Sequence, residues 1–137
     1  MKIHHIAIAV EDMEDALTFY RDALGIDVDE RKDVPDEGVE IAFLPMGASE
    51  IELLRPLDPD NSIGRFLEKR GEGVHHLCLA VEDIESTISR LEAAGARMAT
   101  EIRMHPDGTR YAFVHPKSAR GVLIELYQQP AEPTAAP

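Results

Sequence analysis

The sequence predicts an α+β protein built from two tandem βαβββ modules, and three observations carry that prediction. The stretch H-H-I-A-I-A-V at 4–10 returns as H-H-L-C-L-A-V at 75–81. Each copy is followed by an acidic helix start and an apolar stripe at helical spacing, which a glycine ends. After each helix come three short alternating segments, the pattern of half-buried strands.

Taken in order, positions 3–10 read as a strand, and D-M-E-D at 12–15 opens a helix. Met13, Ala16, Leu17, Tyr20 and Leu24 form its apolar stripe until Gly25 stops it. Strands are expected at 26–33, 39–45 and 49–55, which completes a first module over 1–56. Residues 57–72 form a linker, with a short helical S-I-G-R-F-L-E-K between turn-forming ends. The second module, 73–129, repeats the order: a strand from His75, a helix striped by Ile84, Ile88 and Leu91 up to Gly95, and strands at 97–103, 110–115 and 121–128. The Pro/Ala-rich segment 130–137 is expected to be a disordered tail.

Composition excludes several classes of function. A chain of 137 residues with 44% hydrophobic content can bury one real core, so one compact domain overall is expected. The net charge of −12 repels nucleic acid. No apolar run is long enough to span a membrane, and M-K-I-H-H lacks a signal-peptide pattern, so a cytoplasmic protein is expected. The single cysteine, Cys78, precludes an internal disulfide framework.

Strand alternation sorts the polar residues onto faces. In the first strand Ile6, Ile8 and Val10 are expected to face the helix, leaving His5, Ala7 and Ala9 opposite. The second copy leaves His76, Cys78 and Ala80 opposite its helix. In the same way Ile41 and Phe43 are expected on the helix side with Glu40 and Ala42 opposite. Ile51 and Leu53 leave Glu52 opposite, and Val122, Ile124 and Leu126 leave Glu125. Two histidines and three glutamates on small or apolar walls are costly to bury unless paired or bound to a cation. Imidazole and carboxylate together suit one divalent ion per chain of the Co, Mn, Ni or Zn kind. His4 and His75 alternate with these positions and read as structural, and Cys78 reads as a small core residue.

These residues resemble the vicinal oxygen chelate superfamily and, within it, the methylmalonyl-CoA epimerases. The likeness runs from about residue 2 to 129 and rests on H-H-I-A-I-A-V, I-E-L-L-R-P-L, S-I-G-R-F-L-E-K-R-G-E-G-V-H-H-L and H-P-K-S-A-R-G-V-L-I-E-L. The resemblance implies an open, curved, barrel-like sheet with the helices outside. It also implies metal ligation by His5, Glu52, His76 and Glu125, with Glu40 and Glu125 as the catalytic bases. Glutamate rather than glutamine at 52 is shared with glyoxalase I.

The implied reaction is epimerisation of (2R)- and (2S)-methylmalonyl-CoA. A proton leaves the carbon between thioester and carboxylate, and one returns to the other face through an enolate that a divalent ion stabilises. Two groups acting as general base and general acid complete the exchange. Arg110, expected on the site face at the position answering to Glu40, is the candidate for the substrate carboxylate. Lys117 and Arg120, in the H-P-K-S-A-R-G turn, are the candidates for the CoA phosphates. A homodimer is expected, as for other small proteins of this type. The alternatives are a glyoxalase I-like lactoylglutathione lyase and a non-catalytic small-molecule-binding module. The full ligand set argues against the module.

Overall fold

The computed structural model describes residues 1–131. It has the α+β order that the repeat predicts. The first module contains β1 (Lys2–Ala9), α1 (Met13–Leu17) continued by a π-helical turn (Thr18–Ala23), β2 (Glu30–Val34), β3 (Val39–Met46) and β4 (Ser49–Pro56). Helix α2 (Ser62–Arg70) follows. The second module contains β5 (Gly73–Ala80), α3 (Ile84–Ala93), β6 (Arg103–Met104), β7 (Arg110–Val114) and β8 (Ile124–Gln128). The predicted tail at 130–137 lies mostly outside the described residues. No helix among the described residues is long and apolar enough to cross a membrane.

The two copies start their helices by the same chemistry. Asp12 accepts from the amide of Asp15, and Asp83 from that of Ser86, each at 3.0 Å. Each carboxylate caps one of the unpaired amides of the first turn. Gly25 and Gly95 follow the helices at φ of 85° and 90°, the left-handed region in which glycine is not strained.

The chain divides into two compact units, His4–Leu77 and one made of Met1–Ile3 with the residues from Cys78 on. In the first unit the strands are ordered β2-β3-β4-β1-β5. β1 runs parallel to β4, with His5 opposite Glu50 and Ala7 opposite Glu52. β3 is antiparallel to both β2 and β4. One face of this sheet packs on α1: Val10, Met13, Leu17, Ala42, Leu44 and Leu53 form one buried cluster. The opposite face is covered in part by α2, where Ile63 and Leu67 meet Ala7, Ala9, Val39, Ile41 and Leu54. Both faces of the first sheet are therefore packed.

Helix α2 is seated by two small contacts. Asn61 accepts from the Gly64 amide at 2.9 Å and donates to the Gly38 carbonyl at 2.7 Å, tying the helix start to the turn before β3. A side-chain carbon on Gly64 would lie 2.2 Å from the carbonyl oxygen of Pro59, so only glycine allows this approach.

In the second unit β6, β7 and β8 form an antiparallel run. Val81, Ile84, Ala112, Val114 and Leu126 make its core with α3. The predicted strand 97–103 is regular only at its end. Before that it is joined to β7 by a bridge between Met98 and Val114 and by bonds from the Ala99 amide to Phe113 and from the His115 amide to Arg97.

Candidate metal and active site

His5 and His76 start from equivalent positions of the two repeats, and the first unit brings them together. Their Nε2 atoms face each other at 3.3 Å, with both residues buried. On β4, Glu52 lies on the same sheet face as His5, and its Oε2 is 3.1 Å from His5 Nδ1. His4, His5, Glu50 and Glu52 each offer a ligating atom within 4.8 Å of the others. These placements agree with the alternation read for β1 and β4.

The chemistry of the donors tests whether they suit a divalent ion. Two imidazole nitrogens at 3.3 Å cannot both carry a proton, so the pair must share a proton or offer two lone pairs to a cation. Buried imidazoles beside carboxylates are a donor set of the kind that zinc and its neighbours take. The residues fit the group.

Glu125 lies in the second unit on β8 and is buried. Its neighbours in the strand, Ile124 and Leu126, pack toward α3, so Glu125 points to the other face, as alternation predicts. Two residues on, Tyr127 shares that face. Burial pushes its phenol above the usual range, a hydrogen bond with Thr109 opposes this, and the Glu125 charge adds to the rise. Tyr127 is therefore a neutral hydroxyl beside the carboxylate.

Two expected site residues point the other way. Glu40 pairs in register with Arg55, and its neighbour Ala42 with Leu53, so Glu40 shares the face that packs on α1 rather than the face of His5 and Glu52. Its carboxylate is held by Arg31 at 2.6 Å and Arg55 at 2.8 Å, and Arg31 reaches on to Glu14 of α1. Burial alone would push the Glu40 carboxyl up, but the hydrogen bonds and charges of Arg31 and Arg55 outweigh it and hold the group below its ordinary value. A carboxylate so bound is a poor base and faces away from the histidines. Arg110 repeats the correction in the second unit. It shares the face of Ala112 and Val114 and is ion-paired with Glu85 of α3. Glu14 and Glu85 are separated by the same 71 positions as His5 and His76.

Lys117 and Arg120 are exposed, in a 3-10 turn, Pro116–Ala119, and at its end. The His115 ring accepts from the Lys117 amide at 3.1 Å. Arg120 has φ of 59°, the one non-glycine residue with positive φ among those described, which holds the turn in an uncommon shape.

The sequence reading took His4 and His75 as structural. Their Nδ1 atoms lie 2.8 Å from Nδ1 of His5 and of His76, and the doubling of the histidine in both copies was the signal. It passed over Glu50, which sits opposite His5 in the β1–β4 register.

Comparison with known proteins places this geometry in a family. Residues 4–113 match the glyoxalase/bleomycin resistance protein/dioxygenase superfamily. The chain is 42% identical over 130 residues to an ethylmalonyl-CoA/methylmalonyl-CoA epimerase of Cereibacter sphaeroides, covering 93% of this chain and 97% of the relative. The crystal structure of methylmalonyl-CoA epimerase from Mycobacterium tuberculosis superposes with a TM-score of 0.83 at 37% identity, over 95% of this chain and 89% of that one. A Streptomyces coelicolor methylmalonyl-CoA epimerase variant in complex with 2-nitronate-propionyl-CoA gives a TM-score of 0.84 at 35% identity, over 96% and 99% of the two chains. The chain thus belongs to the glyoxalase/bleomycin resistance protein/dioxygenase superfamily and, within it, to the methylmalonyl-CoA epimerases.

Proposed function

We propose that the protein is an isomerase that interconverts (2R)- and (2S)-methylmalonyl-CoA and depends on a divalent ion held by His5, Glu52, His76 and Glu125. The observation that carries this reading is the buried, face-to-face pair of histidine Nε2 atoms with Glu52 beside it, in a chain of the epimerase family. A divalent ion bound there supplies Lewis acidity toward the oxygens of a chelating thioester and carboxylate. His5 and His76 present their Nε2 lone pairs, and Glu52 adds negative charge that favours a cation over a shared proton. Glu125 takes the α-proton or returns it on one face of C2 of the substrate, and a second proton-transfer group, other than Glu40, exchanges the proton with solvent on the opposite face. Glu40 and Arg110 are left out of the catalytic and substrate-binding sets, because both serve ion pairs on the helix-packed faces. Lys117 and Arg120, exposed at the turn before β8, are the groups for the CoA phosphates.

Exchange of the methylmalonyl-CoA α-proton in D2O tests the reading. It is run beside a methylglyoxal and glutathione assay on the same metal-loaded sample. Exchange well above the no-enzyme rate, with no glutathione turnover, is the expected result. Turnover of the glutathione adduct with no acyl-CoA exchange would make the protein a lactoylglutathione lyase instead. The paired assay therefore decides between the two readings.

A further inference from the structure

We propose that His4 and His75 are positioning residues of the ion site, each holding one ligand imidazole by its Nδ1 edge; this rests on the reading that His5 and His76 bind a divalent ion. The four rings form one chain of contacts. His4 Nδ1 lies 2.8 Å from His5 Nδ1, His5 Nε2 lies 3.3 Å from His76 Nε2, and His76 Nδ1 lies 2.8 Å from His75 Nδ1. Every contact joins two like atoms, so each can hold one hydrogen at most. With the inner Nε2 atoms turned to a cation, His5 and His76 must carry their hydrogen on Nδ1. His4 and His75 must then accept it on a bare Nδ1 and carry their own on Nε2. This arrangement of hydrogens fits all three contacts, with Glu52 Oε2 as a second acceptor for His5, and it points two lone pairs at the same place.

The geometry is reproduced in both copies. His4 and His5 have ring centroids 5.1 Å apart at 77°, and His75 and His76 have 5.1 Å at 81°. A strand's pleat sends adjacent side chains to opposite faces, so such a contact between neighbours has to be made by both rings turning toward it. The His75 ring also meets that of Phe66 on α2, with centroids 5.0 Å apart at 75°. This gives the second histidine of each doubled motif an orienting role. His5 Nδ1 also faces Glu52 Oε2 at 3.1 Å, so both outer histidines are changed together in the test.

Zinc affinity is measured by competition with a chromophoric chelator for the full chain, for the double variant His4→Phe/His75→Phe, and for His4→Asn/His75→Asn, whose amide oxygen replaces the Nδ1 acceptor. The phenylalanine pair should weaken zinc binding roughly 10- to 100-fold for each partner lost, the range for groups that orient a ligand, and the asparagine pair should recover most of it. Should the phenylalanine pair fail to fold, 15N spectra of zinc-loaded wild type decide. Nδ1–H in His5 and His76 with Nε2–H in His4 and His75 is expected. Wild-type affinity in the phenylalanine pair, or Nδ1–H in the outer rings, overturns the proposal while leaving the ion site intact. A wild-type chain that binds no zinc removes the ion site itself.

Discussion

The carboxylate of Glu40 is buried between guanidiniums from both neighbouring strands, Arg31 on β2 and Arg55 on β4. Both arginine side chains are about a third exposed, at 37% and 34%, so solvent discounts the pair below a fully buried one. Glu40→Gln should therefore cost roughly 1–3 kcal/mol in urea unfolding and leave the inversion rate near wild type. Its sign with pH is fixed by direction. The folded carboxyl titrates below the ordinary 4.5, so its stabilisation is present above that value and is lost as pH falls through the lower folded value. Wild type should thus lose stability below pH 4.5 more steeply than Glu40→Gln. A variant that folds as well as wild type yet no longer inverts would return Glu40 to the catalytic set. The faces of His5, Glu52 and Glu125 were legible, because Ile8, Ile51, Leu53, Ile124 and Leu126 mark the helix side of β1, β4 and β8, although Leu54 packs on the opposite face. Glu40 and Arg110 were not. In β3 the helix-facing residues are Ala42 and Leu44, and in β7 they are Ala112 and Val114, with the bulkier Phe43 and Phe113 opposite. Size misassigned β3, and Arg110 followed it as the residue answering to Glu40.

At the scale of elements the same error has a cause in packing. The first sheet is covered by α1 on one face and α2 on the other, so β3 is apolar on both faces and its alternation carries no direction. The pairing with β4, which puts Phe43 opposite Glu52, is what decides the face. The linker helix was visible in the sequence, but its role as a cover for the first sheet was not, since that depends on contacts distant in sequence. The seat of α2 gives a direct test. Asn61→Ala removes both a helix cap and the tie to Gly38 and should cost about 1–2 kcal/mol. Gly64→Ala forces a carbon against the Pro59 backbone and should cost about 1–3 kcal/mol. Thermal or urea unfolding measures both. A Gly64→Ala protein as stable as wild type would show that α2 does not pack as described. At the turn before β8, Lys117→Ala with Arg120→Ala should weaken competition by free CoA, while glutathione should not compete at similar concentrations. Equal inhibition of wild type and variant would free the turn of that role.

For the whole molecule, the repeat explains the architecture and the placement of the histidines together. A duplicated strand start puts His5 and His76 at equivalent positions, and their Nε2 atoms meet. The same duplication gives each helix an acidic residue, Glu14 or Glu85, that pairs with an arginine of its own module. Sequence periodicity was enough to read the order of elements, whereas strand register was needed to tell the site face from the braced one. The central claim is that inversion depends on an ion held by histidines of both repeats. Its most direct test follows the conversion of enantiopure (2S)-methylmalonyl-CoA to the (2R) form by wild type, His5→Ala and His76→Ala, with metal content measured on the same samples. Wild type should hold one divalent ion per chain, lose inversion on chelation and regain it with cobalt, manganese, nickel or zinc. Both variants should lack the ion and the activity. Inversion at wild-type rate by a metal-free sample, or full metal content in both variants, would contradict the account.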